Sequence, residues 1–186
     1  MRYLYLGGSK SGKSMQAQTL ARNLALGEGL KLYYWATMEP SDEEDRARIR
    51  RHLADRDGWG FTTVEQGRDL PEALDQVDPD SAVLFDSVTA VLSNEMFLGP
   101  LREPEELPAI AGKTAEELLE ISRKPAHFIC VCDDIFRDGG RYDPWTEGYR
   151  QGLARICRIL AAEFDVVCEV SGGMPHLHKP AETSVR

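Results

Sequence analysis

The chain has 186 residues, 42% of them hydrophobic, and a formal net charge of −9. That is enough apolar material for one packed domain over residues 1–186, and the acidic balance with no basic stripe excludes a general nucleic-acid binder. No apolar run reaches the ~18 residues needed to cross a bilayer. No secretory leader pattern precedes the first strand, so a soluble cytoplasmic protein is expected.

Tyr3-Leu4-Tyr5-Leu6 reads as a buried strand, and a helical pattern runs from Met15 to Leu26. Between them lies Gly7-Gly8-Ser9-Lys10-Ser11-Gly12-Lys13-Ser14, which fits the phosphate-binding loop G-x-x-x-x-G-K-[ST]. The glycines let backbone N–H groups turn inward around phosphate oxygens. Lys13 supplies a charge for the β- and γ-phosphates, and the Ser14 hydroxyl suits Mg²⁺. The helix start adds its positive dipole end.

Lys31 to Thr37 predicts a second strand. Ser41 with Glu44 forms a capping box for a charged helix from Asp42 to about Asp55. Acidic residues fill its first turn and basic ones its later turns, and its few apolar positions are Ala47, Ile49 and Leu53. Such a helix lies on the surface or over a site. Late in it, His52 shares a face with Arg48 and adjoins Arg51. Spacing alone reads this as a solvated histidine, although a neutral imidazole is also a good nucleophile and the arginines suit phosphate charge.

Asp57 to Gly60 is a turn and Phe61 to Glu65 a short β-like stretch. Asp69 to Val77 reads as a helix with Pro71 in its first turn. Ser81 to Asp86 is an apolar strand ending in an acid, followed by a helix from Ser87 to Phe97. Asp86 suits either the Mg²⁺-orienting acid of nucleoside triphosphatases or the cap of that helix.

Gly99 to Pro108, rich in proline and glutamate, is expected as a loop or insertion. A helix over Thr114 to Arg123, a strand over Ala126 to Cys132 and a polar loop over Ile135 to Tyr142 follow. The longest helix is expected at Pro144 to Glu163. A core strand over Asp165 to Val170 and a closing strand over Met174 to Pro180 end the series. Alternating strands and helices predict an α/β fold with a mostly parallel central sheet flanked by helices. Ligands of such sheets bind at the carboxyl ends of the strands.

Asp133, Asp134 and Asp138 follow a strand and suit a general base or second Mg²⁺ ligand as well as a solvated loop. Tyr142, Asp143, Trp145 and Tyr149 surround the start of the longest helix, as a pocket lining or a core corner. His176 and His178 are expected on a surface strand and His127 in a structural place. Cys130, Cys132, Cys157 and Cys168 are expected as buried thiols in a reducing compartment.

Over nearly its whole length the chain resembles the bifunctional adenosylcobinamide kinase / adenosylcobinamide-phosphate guanylyltransferase family of cobalamin biosynthesis. The resemblance rests on the phosphate loop, Tyr34-Trp35-Ala36-Thr37, Asp42-Glu43-Glu44, and Ala47-Arg48-Ile49-Arg50-Arg51-His52. Val64-Glu65, Val83-Leu84-Phe85-Asp86 and Ala154-Arg155-Ile156 add to it. It implies a RecA-like P-loop NTPase fold and a homo-oligomer, a trimer. It also implies two reactions: phosphorylation of the aminopropanol hydroxyl of adenosylcobinamide, and transfer of GMP from GTP to the phosphorylated product. In the second, His52 carries GMP as a phosphoramidate.

Matching positions imply catalytic roles for His52 and Lys13, with Mg²⁺ and GTP or ATP as donor. They imply nucleotide contacts at Ala36, Thr37, Met38, Leu53, Ala54, Asp55, Arg56, Glu65 and Asp86, with Ser14 and Asp86 toward the metal. The sequence departs from the family pattern in four places: Arg51 replaces a second histidine, Cys132-Asp133-Asp134-Ile135-Phe136 replaces an asparagine-containing acidic segment, Cys157 stands where asparagine is usual, and the stretch Gly172 to Lys179 differs. No guanine-reading N-K-x-D motif is present. Two other functions stay open on the residues: a small-molecule kinase without guanylyl transfer, and a nucleotide-dependent switch that contacts a partner through Gly99 to Pro108.

Overall fold

The computed structural model describes residues 1–39, 43, 58–100 and 102–181. The charged helix expected over Asp42 to Asp55, with His52, and the expected contacts Leu53, Ala54, Asp55 and Arg56 lie outside the described residues, apart from Glu43.

The strands are β1 (Arg2–Gly7), β2 (Lys31–Ala36), β3 (Thr62–Glu65), β4 (Ser81–Asp86), β5 (His127–Asp133), β6 (Val166–Ser171) and β7 (Met174–Lys179). They form a 7-stranded sheet in the order β3-β2-β4-β5-β1-β6-β7. All neighbouring pairs are parallel except β6 with β7, which is antiparallel. One strand, β5, separates the phosphate-loop strand β1 from β4, the arrangement of RecA-like P-loop folds.

Two-residue periodicity sends alternate strand residues into two cores. Leu4, Trp35, Val83, Phe85, Phe128 and Cys130 share one core with residues of α2 (Val88–Phe97), α3 (Leu107–Ile121) and α4 (Pro144–Glu163). Tyr34, Ala82, Leu84, Ile129 and Val131 meet α1 (Lys13–Glu28) on the other face. That helix turns Ala17, Ala21 and Ala25 to the sheet at i, i+4 spacing, so its backbone lies close. Burial on both faces explains why the central strands read as continuous apolar runs.

Helix α4 has the expected bounds because its cap is strong: Asp143 accepts from Trp145 N and Thr146 N at 3.0 and 3.1 Å, with Pro144 at the first position. Ser87, not Asp86, caps α2, its Oγ accepting from Ala90 N at 3.2 Å. The Asp69 to Val77 stretch is a 3-10 helix over Leu70–Gln76. The expected loop at Gly99 to Pro108 is shorter than its composition suggested. A 3-10 turn, Pro104–Glu106, carries a capping box between Glu103 and Glu106, and α3 starts at Leu107 rather than Thr114. Both prolines sit in first turns, where no N–H is missed.

Candidate functional site

The phosphate loop joins β1 to α1. Gly7 is needed by close approach: a Cβ there would lie 2.4 Å from Val170 O and 2.8 Å from Ser11 Oγ. Gly12 caps α1 at φ +94, and the first helical turn holds no acidic residue, so its N–H groups are left for an anion. Gly8, Ser9 and Lys10 are exposed, Ser14 is half-buried, and the buried Ser11 Oγ has no hydrogen-bond partner.

Two further segments brace this loop. Asp134 N donates to Gly7 O at 3.3 Å, tying it to the end of β5. From the β6–β7 turn, Gly173 N donates to Ser11 O at 3.0 Å, and Gln16 Nε2 donates to Gly173 O at 2.8 Å. Lys13 is only 6% exposed. Its ammonium donates to Gly8 O at 3.1 Å and lies 2.6 Å from Asp133 Oδ1.

Of the expected nucleotide residues, Ala36, Glu65 and Asp86 end their strands side by side at one edge of the sheet. Ala36 pairs in register with Glu65 on one side and with Asp86 on the other. Asp86 in turn aligns with Val131, and Gly7 with Asp133. Ala36, Met38 and Asp86 are half-buried, while Glu65 is exposed. Thr37 is buried and fixed from several sides. Its Oγ1 accepts from Ser87 N at 2.6 Å and donates to Ser87 O at 3.1 Å. Its carbonyl accepts from Asn94 Nδ2 at 2.7 Å, and the same amide donates to Gly67 O at 3.0 Å. Asn94 was not expected from the sequence; the available signal is a lone amide on the apolar face of Val91, Leu92 and Met96.

The three acids at and after the end of β5 have separate partners. Asp133 pairs with Lys13, Asp134 lies 3.5 Å from Arg137, and Asp138 lies 3.0 Å from the buried Arg150. Arg137 also pairs with Glu169, which His178 Nε2 meets at 2.8 Å; these partners hold the Glu169 carboxyl down at about 2. The aromatics split as well. Tyr142 and Trp145 are exposed, whereas Tyr149 is partly buried and donates to Thr89 O at 2.9 Å. Burial pushes its phenol well up.

His176 and His178 lie on the exposed strand β7, and His127 is buried with Nε2 3.0 Å from Glu28. All four cysteines are free and buried. Asp69, Glu95 and Glu117 gather their carboxylates within 4.8 Å, but Lys113 sits among them at 2.8, 3.7 and 3.3 Å. No helix among the described residues is long and apolar enough to cross a membrane.

Known proteins resemble this chain over most of its length. It is 29% identical over 182 residues to the bifunctional adenosylcobalamin biosynthesis protein CobU of Salmonella typhimurium, covering 94% of this chain and 97% of that protein. The Escherichia coli protein of the same name is 30% identical over 183 residues, with the same shares. CobP of Pseudomonas aeruginosa, likewise a bifunctional adenosylcobalamin biosynthesis protein, is 32% identical over 162 residues, 84% of this chain and 89% of that one. Among solved structures, the flagellar accessory protein FlaH of Methanocaldococcus jannaschii superposes with a TM-score of 0.49 at 13% identity, over 97% of this chain and 78% of that one. The family model for cobinamide kinase / cobinamide phosphate guanyltransferase matches residues 3–177, and the chain belongs to that family.

Proposed function

We propose that this chain is a single-domain enzyme that carries out both reactions at the carboxyl edge of its sheet. It phosphorylates the side-chain hydroxyl of adenosylcobinamide, and it moves GMP from GTP to the resulting phosphate by way of His52. The observation that carries this is the phosphate loop with its buried Lys13, set on one strand-end edge with Asp86 and Glu65, in a chain matched over residues 3–177 by that family.

In guanylyl transfer, an imidazole nitrogen of His52 forms a bond to the α-phosphorus and pyrophosphate leaves. The phosphate of the corrinoid then attacks the same phosphorus, the N–P bond breaks, and adenosylcobinamide-GDP is released. Lys13 and the inward N–H groups of residues 7–14 hold the departing pyrophosphate charge. In the kinase reaction the substrate hydroxyl oxygen bonds to the γ-phosphorus, the bond from that phosphorus to the β,γ-bridging oxygen breaks, the nucleoside diphosphate leaves, and the hydroxyl proton is released to water. Positioning and charge neutralisation by the same loop are the main requirements. Nucleotide contacts extend to Ala36, Thr37, Met38, Glu65 and Asp86, and to Leu53, Ala54, Asp55 and Arg56 beside His52.

The Ser14 hydroxyl and the Asp86 carboxylate fit Mg²⁺. This hard ion takes few protein oxygens and keeps waters and phosphate oxygens for its other positions. Bound there, it would supply charge neutralisation on the phosphates. A homotrimer acting in the cytoplasm completes the proposal; free buried thiols suit that reducing compartment.

Incubation with α-labelled GTP and Mg²⁺ should leave acid-labile label on the protein, absent from His52→Ala. Adenosylcobinamide with ATP or GTP should give its phosphate. A wild-type enzyme that binds GTP but takes no label rejects the guanylyltransferase half, and absence of the phosphate rejects the kinase half.

A further inference from the structure

The Lys13 ammonium has a carboxylate of its own chain beside it. Asp133 Oδ1 lies 2.6 Å from Nζ, and the lysine side chain is 7% exposed against 29% for the aspartate. The pair is built from the frame, since Asp133 ends the strand adjacent to β1 and aligns with Gly7. Its N–H donates to Thr89 Oγ1 at 2.8 Å, and the next N–H holds Gly7 O. The Thr89 carbonyl is itself held by Tyr149 Oη. Neither residue needs to move its backbone to keep the contact.

A triphosphate that uses Lys13 brings its own oxygens to the same ammonium, next to a carboxylate of like charge. We propose that Asp133 is an internal stand-in for phosphate: it pairs with Lys13 and must yield it when nucleotide binds. It is a positioning residue that acts through Lys13. It lowers nucleotide affinity and keeps the lysine oriented toward the phosphate position. This proposal rests on the assignment of the loop to nucleotide binding.

The chemistry makes a signed prediction. Asp133→Asn keeps the shape and removes the competing charge. GTP–Mg²⁺ should then bind roughly three- to fivefold more tightly by calorimetry, the range expected for an ion pair with one partly exposed partner. KM for GTP should fall by a similar factor, and by more than any change in kcat. Asp133→Glu keeps the charge and should retain a Kd close to that of the wild type. Asp134→Asn removes an equal charge next door without touching Lys13, and should shift the Kd by less than about twofold.

Unchanged or weaker GTP binding in Asp133→Asn overturns the stand-in. Equal tightening in Asp134→Asn also overturns it, because the effect would then belong to the general acidic field. A circular-dichroism melt of each variant without nucleotide separates these results from misfolding. If the nucleotide-binding assignment itself is wrong, the wild type binds no GTP in the same calorimeter.

Discussion

Asn94→Ala removes the amide that joins α2 to two backbone carbonyls. Asn94 Nδ2 donates to Thr37 O at 2.7 Å and to Gly67 O at 3.0 Å, and Asn94 is 7% exposed. Water has little access: Thr37 is 1% exposed, and a Cβ on Gly67 would lie 2.6 Å from Thr37 O and 2.7 Å from Asn94 Nδ2. Each carbonyl left without its donor costs about 1–2 kcal/mol, so the loss should be about 2–4 kcal/mol. For a domain of this size each kcal/mol moves Tm by about 2–4 °C, which makes the drop roughly 4–16 °C.

Asn94→Asp sharpens the test. It sets a carboxylate against two carbonyl oxygens, so at pH 7 it should be less stable than the alanine variant. Burial raises that carboxyl above the ordinary ~3.9. Its penalty is therefore full above the raised value and shrinks as pH falls through it, when the protonated group can donate again. Urea unfolding followed by the fluorescence of buried Trp35, with melts at pH 7 and pH 4.5, measures all three proteins. A loss below about 0.5 kcal/mol in Asn94→Ala, or an aspartate variant equal to alanine at pH 7, refutes the reasoning.

Glu169 is held at about 2, against an ordinary 4.5, by Arg137 first and His178 second. A depressed carboxylate stabilises the fold above about 4.5, and its contribution is lost as pH falls through about 2. The Tm gap between wild type and Glu169→Gln should therefore be open at pH 6 and closed near pH 2; a gap constant over that range contradicts the assignment. Lys113→Ala should leave Asp69, Glu95 and Glu117 as three unneutralised carboxylates and cost about 1–3 kcal/mol at pH 7. Millimolar Ca²⁺ should raise the Tm of that variant but not of the wild type, and equal responses in thermal melts would show that the lysine does not hold the cluster.

Strand positions were legible because burial on both faces leaves few polar residues in β4 and β5, and each run ends in a charged residue where the sheet meets solvent. The phosphate loop was legible because its chemistry is local: glycines, lysine and serine act within one turn. The start of α3 was not, since Glu103, Pro104, Glu106 and Pro108 have loop composition yet suit a capping box and first turns. Asp86 was weighed as a helix cap, but Ser87 takes that place because its hydroxyl reaches Ala90 N. The partners of Thr37, Asn94, Lys13 and Asp133 could not be read from the sequence. Each joins segments far apart in the chain, and only the strand order brings them together.

The brace on the phosphate loop has a consequence for how the protein is made. The loop is synthesised early, at the end of β1, yet β1 lies between β5 and β6 and the loop is tied to the turn after β6. Its hydrogen bonds to Asp134 and Gly173 must wait for segments far along the sequence. Loop closure over that distance is an entropic cost met before the contacts repay it. Those two braces of the phosphate loop form only once β5 and the β6–β7 turn are in place, and a ligand that binds the braced loop favours the chain that has them.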